Sequence, residues 1–318
     1  MRQLAALLAA VLLAACAGPQ GPVGLPREGA PVELQATPFF PQREHQCGPA
    51  ALATSLGASG VDIGADALTA EVYLPGRKGS LQTELVAAAR RHGRVAAPVR
   101  GDAAALVAEL RAGRPVLVLL NLGLSWLPVW HYAVVVGYEP ANERFILRSG
   151  TERRAIFGAE RLERAWAYGA HWAVVITEPE RIPATTSTNA WLAAVAPFES
   201  LGELDLALKG YAAAATRWPD TALPWTALGN AQARAGDNAA AIAAYSAALA
   251  REDTVATRNN RADALGRLQC ARLAELDLQR AAALDAEGRY KAVLARTRDG
   301  LPSEDACPAA IVDRLKAS

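Results

Sequence analysis

An α+β domain followed by an all-α repeat domain is the fold that the sequence predicts, and three observations carry it. The chain has 318 residues, more than one compact domain of roughly 100 to 200 residues usually holds, so two are expected. Residues 33–180 carry helix-spaced and then β-rich apolar runs, and nothing strand-like follows them. Beyond residue 186, equivalent residues recur every 34 positions. Hydrophobic residues make up 52% and charged ones 20%, which supplies apolar material for two cores. The 33 Lys and Arg stand against 32 Asp and Glu. No basic footprint for nucleic acid results, and nucleic acid is set aside as a partner.

Residues 1–15 read as an export signal. Arg2 gives the positive end, the apolar run from Leu4 to Leu13 is too short to cross a bilayer of about 30 Å, and small residues precede Cys16. The order Leu13-Ala14-Ala15-Cys16 resembles a bacterial lipobox, which implies cleavage before Cys16, a lipid on its sulfur and membrane attachment. The plainer reading is an ordinary secretory signal cut nearby. Ala17 after the cysteine, by resemblance to sorted lipoproteins, implies the cell envelope, at the periplasmic face of the outer membrane. Residues 16–32, rich in Gly and Pro, are predicted to be a tether. In an oxidising compartment idle thiols pair. Cys270 and Cys307, both in the last third, are expected to form a disulfide. Cys47 is then left alone, and such a thiol must be buried or employed.

Residues 32–35 alternate like a short strand. Cys47 lies at a loop-to-helix junction before the apolar, helix-prone residues 50–56. A helix is predicted over 80–92, with Ser80 as N-cap, Leu81, Leu85, Val86 and Ala89 at helical spacing, and Gly93 as its stop. Another fits 103–112, ending at Gly113. Residues 115–121, 131–138, 145–147 and 172–177 read as strands of a mainly antiparallel sheet, with turn signals at Gly123, Pro128, 139–142 and Gly150. Pro, Thr and Ser at 179–189 mark the boundary between domains.

A cysteine nucleophile needs a base and a donor for the oxyanion. Cys47 at a helix start is expected to have a lowered pKa from the positive helix end. Gln42, in the same loop, can offer an amide N–H beside the sulfur, with Gln46 as the spare. His131, at the first position of a strand, is the expected base, with Trp126 and Trp130 walling a cleft. His45 is expected to point away, His92 to cap a helix, and His171 to be the rival base. No Cys or His pairs have metal-ligand spacing, so no metal or cofactor is expected.

The stretches Gln42 to Ala50, with Cys47-Gly48-Pro49-Ala50, and His131 to Tyr138 resemble the two signature blocks of the bacteriocin-processing, double-glycine leader cysteine peptidases. Residues 113–119 fit as well, so the likeness covers about residues 33–178. The resemblance implies a papain-like fold in which Cys47 is nucleophile, His131 base and Gln42 oxyanion donor. That family usually forms the N-terminal domain of an ABC exporter, and it places an Asp or Asn about one strand after the His. Here Ser149 occupies that place. A serine can accept the ring N–H without stabilising the imidazolium as a carboxylate would, which implies slow turnover or an orienter elsewhere.

In the C-terminal part, Trp191 and Trp225, Ala207 and Ala241, Tyr211 and Tyr245, and Ala214 and Ala248 are each 34 residues apart. With Leu228 and Gly229 they follow the tetratricopeptide order, and a weaker third copy runs over 259–285 with Leu278 and Ala281. Repeats are predicted over 186–290, and a tail over 291–318. The leading expectation is a lipid-anchored thiol peptidase acting on a peptide or protein, with a protein partner on the repeats. The alternatives are a scaffold that has lost turnover and a Cys-dependent acyl transferase.

Overall fold

The structure, a computed structural model, describes residues 24–317. The signal segment, Cys16 and the start of the tether lie outside the described residues. The chain divides into two compact units. One runs up to Thr177 and includes Pro183–Thr186; the other comprises Glu178–Ile182 and everything from Ser187 onward.

The N-terminal unit has the order β1 (Val32–Glu33), α1 (Cys47–Ala58), α2 (Ala65–Val72), α3 (Gln82–Arg91), β2 (Val95–Pro98), α4 (Ala103–Arg111) and β3 (Val116–Asn121). It continues with β4 (Trp130–Glu139), β5 (Arg144–Ser149), β6 (Glu152–Gly158), α5 (Ala159–Ala167) and β7 (Ala173–Thr177). The strands form one antiparallel sheet in the order β2-β7-β3-β4-β5-β6, with β1 against β4. This is the papain-like α+β layout.

Strand β3 is an unbroken apolar run ending in Asn121 and is buried throughout, as a central strand covered on both faces must be. The two-residue period then sorts the side chains. Leu117, Leu119, Tyr132 and Val134 pack with Leu52, Leu56, Leu68 and Leu85 of the first three helices. Val118, Leu120, Ala133 and Val135 pack with Leu106 and Leu110 of α4 and with Leu162 and Trp166 of α5. Each leucine so buried contributes about 1.5–3 kcal/mol. The first of these layers sets α1 beside the start of β4, and so brings Cys47 and His131 to one region.

Helix α4 begins where Asp102 accepts from the N–H of Ala105 at 2.7 Å. Its buried Glu109 takes Arg114 Nε at 2.9 Å, the N–H groups of Ala184 (3.1 Å) and Thr185 (2.7 Å), and Thr185 Oγ1 at 2.8 Å. Residues 183–186 are thereby fastened to this unit.

Ser80 does not cap α3. Leu81 is the N-cap residue and makes no side-chain cap, while Ser80 Oγ is buried without a hydrogen-bond partner among the described residues. The cause is tertiary: a Cβ on Gly48 would lie 2.4 Å from Ser80 Oγ, so the serine is pressed beneath the start of α1 and cannot turn back to its own helix.

The C-terminal unit is helical: α6 (Thr188–Val195), α7 (Pro197–Ser200), α8 (Leu204–Arg217), α9 (Ala222–Arg234), α10 (Asn238–Leu249), α11 (Val255–Arg267), α12 (Ala271–Leu284), α13 (Lys291–Asp299) and α14 (Ala309–Ala317). The 34-residue pattern is a packing rule. Gly229 has no side chain because Tyr245 lies against it; a Cβ there would come within 2.6 Å of the ring. Tyr245 OH donates to Asn230 Oδ1 at 2.9 Å, which holds α10 on α9. In the third copy, buried Asp277 accepts from Arg258 at 2.8 Å and from Arg261 at 2.7 Å. The expected tail over 291–318 carries α13 and α14, whose Leu294 and Ile311 bury against the repeat core. Cys270 and Cys307 are joined in a disulfide, tying α14's approach to the start of α12.

Candidate active site

Helix α1 begins at Cys47 itself, with Gln46 as N-cap residue and no side-chain cap. The backbone N–H groups of its first turn have no partner within the helix. Gly48 permits this placement: besides Ser80 Oγ, Ser80 Cβ lies 2.6 Å from where its side chain would begin. The thiol is the free cysteine among the described residues and is half-buried.

Cys47, Gln42, His45 and His131 all line one groove of about 830 Å³. His131, the second residue of β4, is 8% exposed. Its Nε2 lies 2.9 Å from Ser149 Oγ at the end of β5. With Nε2 engaged, Nδ1 is the ring nitrogen left for the groove. A chain of contacts ties the parts together, since the N–H of Gln42 donates to the carbonyl of Gly150 at 3.1 Å, the residue after Ser149. Gln42 Oε1 is buried and makes no hydrogen bond among the described residues. That oxygen is therefore not committed to another described protein group.

Burial pushes the Cys47 thiol above its ordinary value, against the pull of the backbone N–H groups of Tyr132, Gly48 and Cys47. The helix-start effect expected from sequence is present, but desolvation outweighs it, so the thiol is raised and not lowered. Burial likewise pushes His131 below its ordinary value. Both shifts favour the neutral forms, the thiol and the imidazole alike. Tyr132, whose backbone N–H favours the thiolate, is the residue after the expected base. Its involvement is a matter of geometry that no residue pattern signals.

Other expectations shift. Trp130 lines the groove, but Trp126 is 76% exposed and does not wall it; the hairpin carries it outward. His45 has a left-handed backbone (φ +62°), and this turn brings it to the groove's border, where it was expected to point away. Gln46 is not among the lining residues. His171 Nε2 pairs with Glu163 Oε1 at 2.7 Å outside the groove, so it is not the base for Cys47. His92, at the end of α3, pairs with Glu71 at 2.9 Å. Arg77 and Lys78, which sequence reasoning passed over, also border the groove. Among the described residues, no group of three or more His, Cys, Asp or Glu could hold a metal, and no helix is long and apolar enough to cross a membrane.

Residues 34–168 match the model of the Peptidase_C39 like family. No curated protein matches the chain. Among solved structures, a C39-like peptidase from Bacillus anthracis is 18% identical over 46% of this chain and 98% of its own, with a TM-score of 0.39. The peptidase domain of Streptococcus ComA, a bifunctional ABC transporter, is 21% identical over 44% of this chain and 97% of its own, with a TM-score of 0.37. The TPR2B domain of yeast Sti1 is 19% identical over 36% of this chain and 94% of its own, with a TM-score of 0.34. Sequence blocks, sheet and family model agree: residues 34–168 are a Peptidase_C39-like domain, joined in this chain to an array of tetratricopeptide-like helical repeats.

Proposed function

We propose that the N-terminal unit is a cysteine peptidase that hydrolyses a peptide bond of a peptide or protein substrate. The observation that carries the reading is the groove itself, where Cys47 and Gln42 meet a histidine whose far nitrogen is held 2.9 Å from Ser149 Oγ. With Nε2–H donating to the serine, Nδ1 of His131 takes the proton of Cys47 as the sulfur attacks the carbonyl carbon. The tetrahedral oxyanion is met by the amide N–H of Gln42 and the backbone N–H of Cys47. The imidazolium then protonates the leaving amine. Water, deprotonated by His131, opens the thioester and frees the thiol. Ser149 fixes the tautomer without adding the negative charge of a carboxylate, so turnover is slow. In this proposal the repeats hold a peptide or protein partner, and a lipid on Cys16 keeps the protein at the periplasmic face of the outer membrane.

The test is proteolysis in the cell of origin. Envelope peptides are compared by mass between the native strain and one carrying Cys47→Ala. Cleaved peptides that vanish in the variant, with their uncut precursors accumulating, support the reading. Identical peptide sets in both strains, together with no cleavage of any peptide in a diverse pool by purified protein, defeat it.

A further inference from the structure

The hairpin between β3 and β4 ends in a tip, residues 122–129, that carries no charged side chain. Leu122, Leu124, Trp126, Leu127, Val129 and the following Trp130 are all 43–76% exposed. Singly exposed apolar residues are ordinary, but six within nine consecutive positions form a patch that asks for an apolar neighbour.

The tip is also built to leave water. Leu124 and Leu127 exchange both backbone hydrogen bonds, at 3.1 and 3.2 Å, and Leu122 N–H donates to Val129 O at 2.9 Å. Buried Asn121 adds three more: its Oδ1 accepts from the N–H groups of Gly123 (2.9 Å) and Val129 (2.8 Å), and its Nδ2 donates to Leu124 O at 3.3 Å. Five of the seven backbone N–H groups of residues 122–129 are thus paired, which lowers the cost of moving the tip into hydrocarbon, and the open end at Ser125 and Trp126 suits the headgroup level.

We propose that this tip is a wedge that inserts into an anionic bilayer and seats the N-terminal unit on the membrane surface. Two observations favour lipid over a protein partner, and the lipid proposed on Cys16 would add a tether. Trp126 and Trp130 are the side chains that settle at the level of headgroups. Arg77 and Lys78 are exposed and border a groove with Pro128, Val129 and Trp130, among whose lining residues there is no Asp or Glu; cations beside an apolar tip complement acidic headgroups. The first described residue, Gly24, is eight residues beyond Cys16. A lipid on Cys16 would hold the unit within about 28 Å of the surface. The wedge does not depend on the peptidase reading, and it would orient the groove's mouth toward membrane-bound chains.

The full chain is reconstituted into vesicles of phosphatidylethanolamine and phosphatidylglycerol whose acyl chains carry bromine, which quenches an indole on contact. Quenching is expected, and Trp126→Phe should remove most of it. Leu124→Ser with Leu127→Ser should reduce the Trp126-dependent component roughly tenfold or more while leaving the melting temperature unchanged. Replacing phosphatidylglycerol by phosphatidylcholine, or Arg77→Gln with Lys78→Gln, should weaken it several-fold. Absence of quenching, or quenching indifferent to Trp126→Phe and Trp130→Phe, overturns the proposal. So does light scattering that shows the leucine substitutions converting a dimer to a monomer without lipid, which would make the tip an interface between copies.

Discussion

Replacing Gly48 by Ala adds a methyl group where there is no room for one. The new Cβ would stand 2.4 Å from Ser80 Oγ, 2.6 Å from Ser80 Cβ and 3.6 Å from Leu85 Cδ1. Ser80 cannot swing clear easily, because its Oγ is already buried and its carbonyl accepts from Tyr132 OH at 3.3 Å. On an unobstructed helix, Gly to Ala stabilises by up to about 1 kcal/mol. Overpacking of this kind costs about 1–3 kcal/mol, so the variant should lose up to about 2 kcal/mol net. The start of α1 must also move, and the thiol moves with it. Urea unfolding of the N-terminal unit gives the first quantity, and the rate of Cys47 alkylation reports the second. Ser80→Gly in the same chain removes both crowding atoms and should restore most of each. A Gly48→Ala protein that is more stable than the parent, with unchanged thiol reactivity, would refute the packing argument.

Glu109→Ala orphans Arg114 and two backbone donors of residues 184 and 185, and should cost about 3–5 kcal/mol in urea unfolding; a loss under about 1 kcal/mol would show that the carboxylate is not needed there. Reducing the Cys270–Cys307 bond, which spans 37 residues, should destabilise the C-terminal unit by about 4 kcal/mol through unfolded-state entropy. Thermal melts with and without reductant measure this, and superimposable melts would contradict it. Alkylation of Cys47 by iodoacetamide should climb with pH to an inflection above the ordinary thiol value, because burial raises the group. An inflection well below that value would mean a preformed thiolate.

The fold class was legible because its evidence is local and repeated. Residues 116–121 are apolar without interruption, and Tyr211 and Tyr245 announce the repeat by spacing alone. What escaped was decided by contacts across the fold. Strand β6 opens with the exposed Glu152, Arg153 and Arg154, which suits a sheet edge and carries no strand signal. Ser80 looked like a cap because a hydroxyl precedes a helix, but the approach of α1 took that hydroxyl away. Cys47 and His131, singled out by their neighbours in sequence, line one groove. The electrostatic balance at the thiol was not legible, since whether desolvation or the backbone N–H groups prevail depends on how deeply the folded chain buries the sulfur. Helices α13 and α14 were missed as well, their few apolar residues making sense only against the repeat core.

The pairing of Cys47 with His131 across the groove can be measured with 1,3-dibromoacetone, whose two reactive carbons flank one ketone. The first displaces bromide with the Cys47 sulfur, and the second can then alkylate an imidazole nitrogen within reach. Peptide mapping by mass spectrometry should find the segments bearing residues 47 and 131 joined, with the bridge absent in His131→Ala. A bridge to His45, which borders the same groove, or a singly attached reagent in the native protein, would contradict the account.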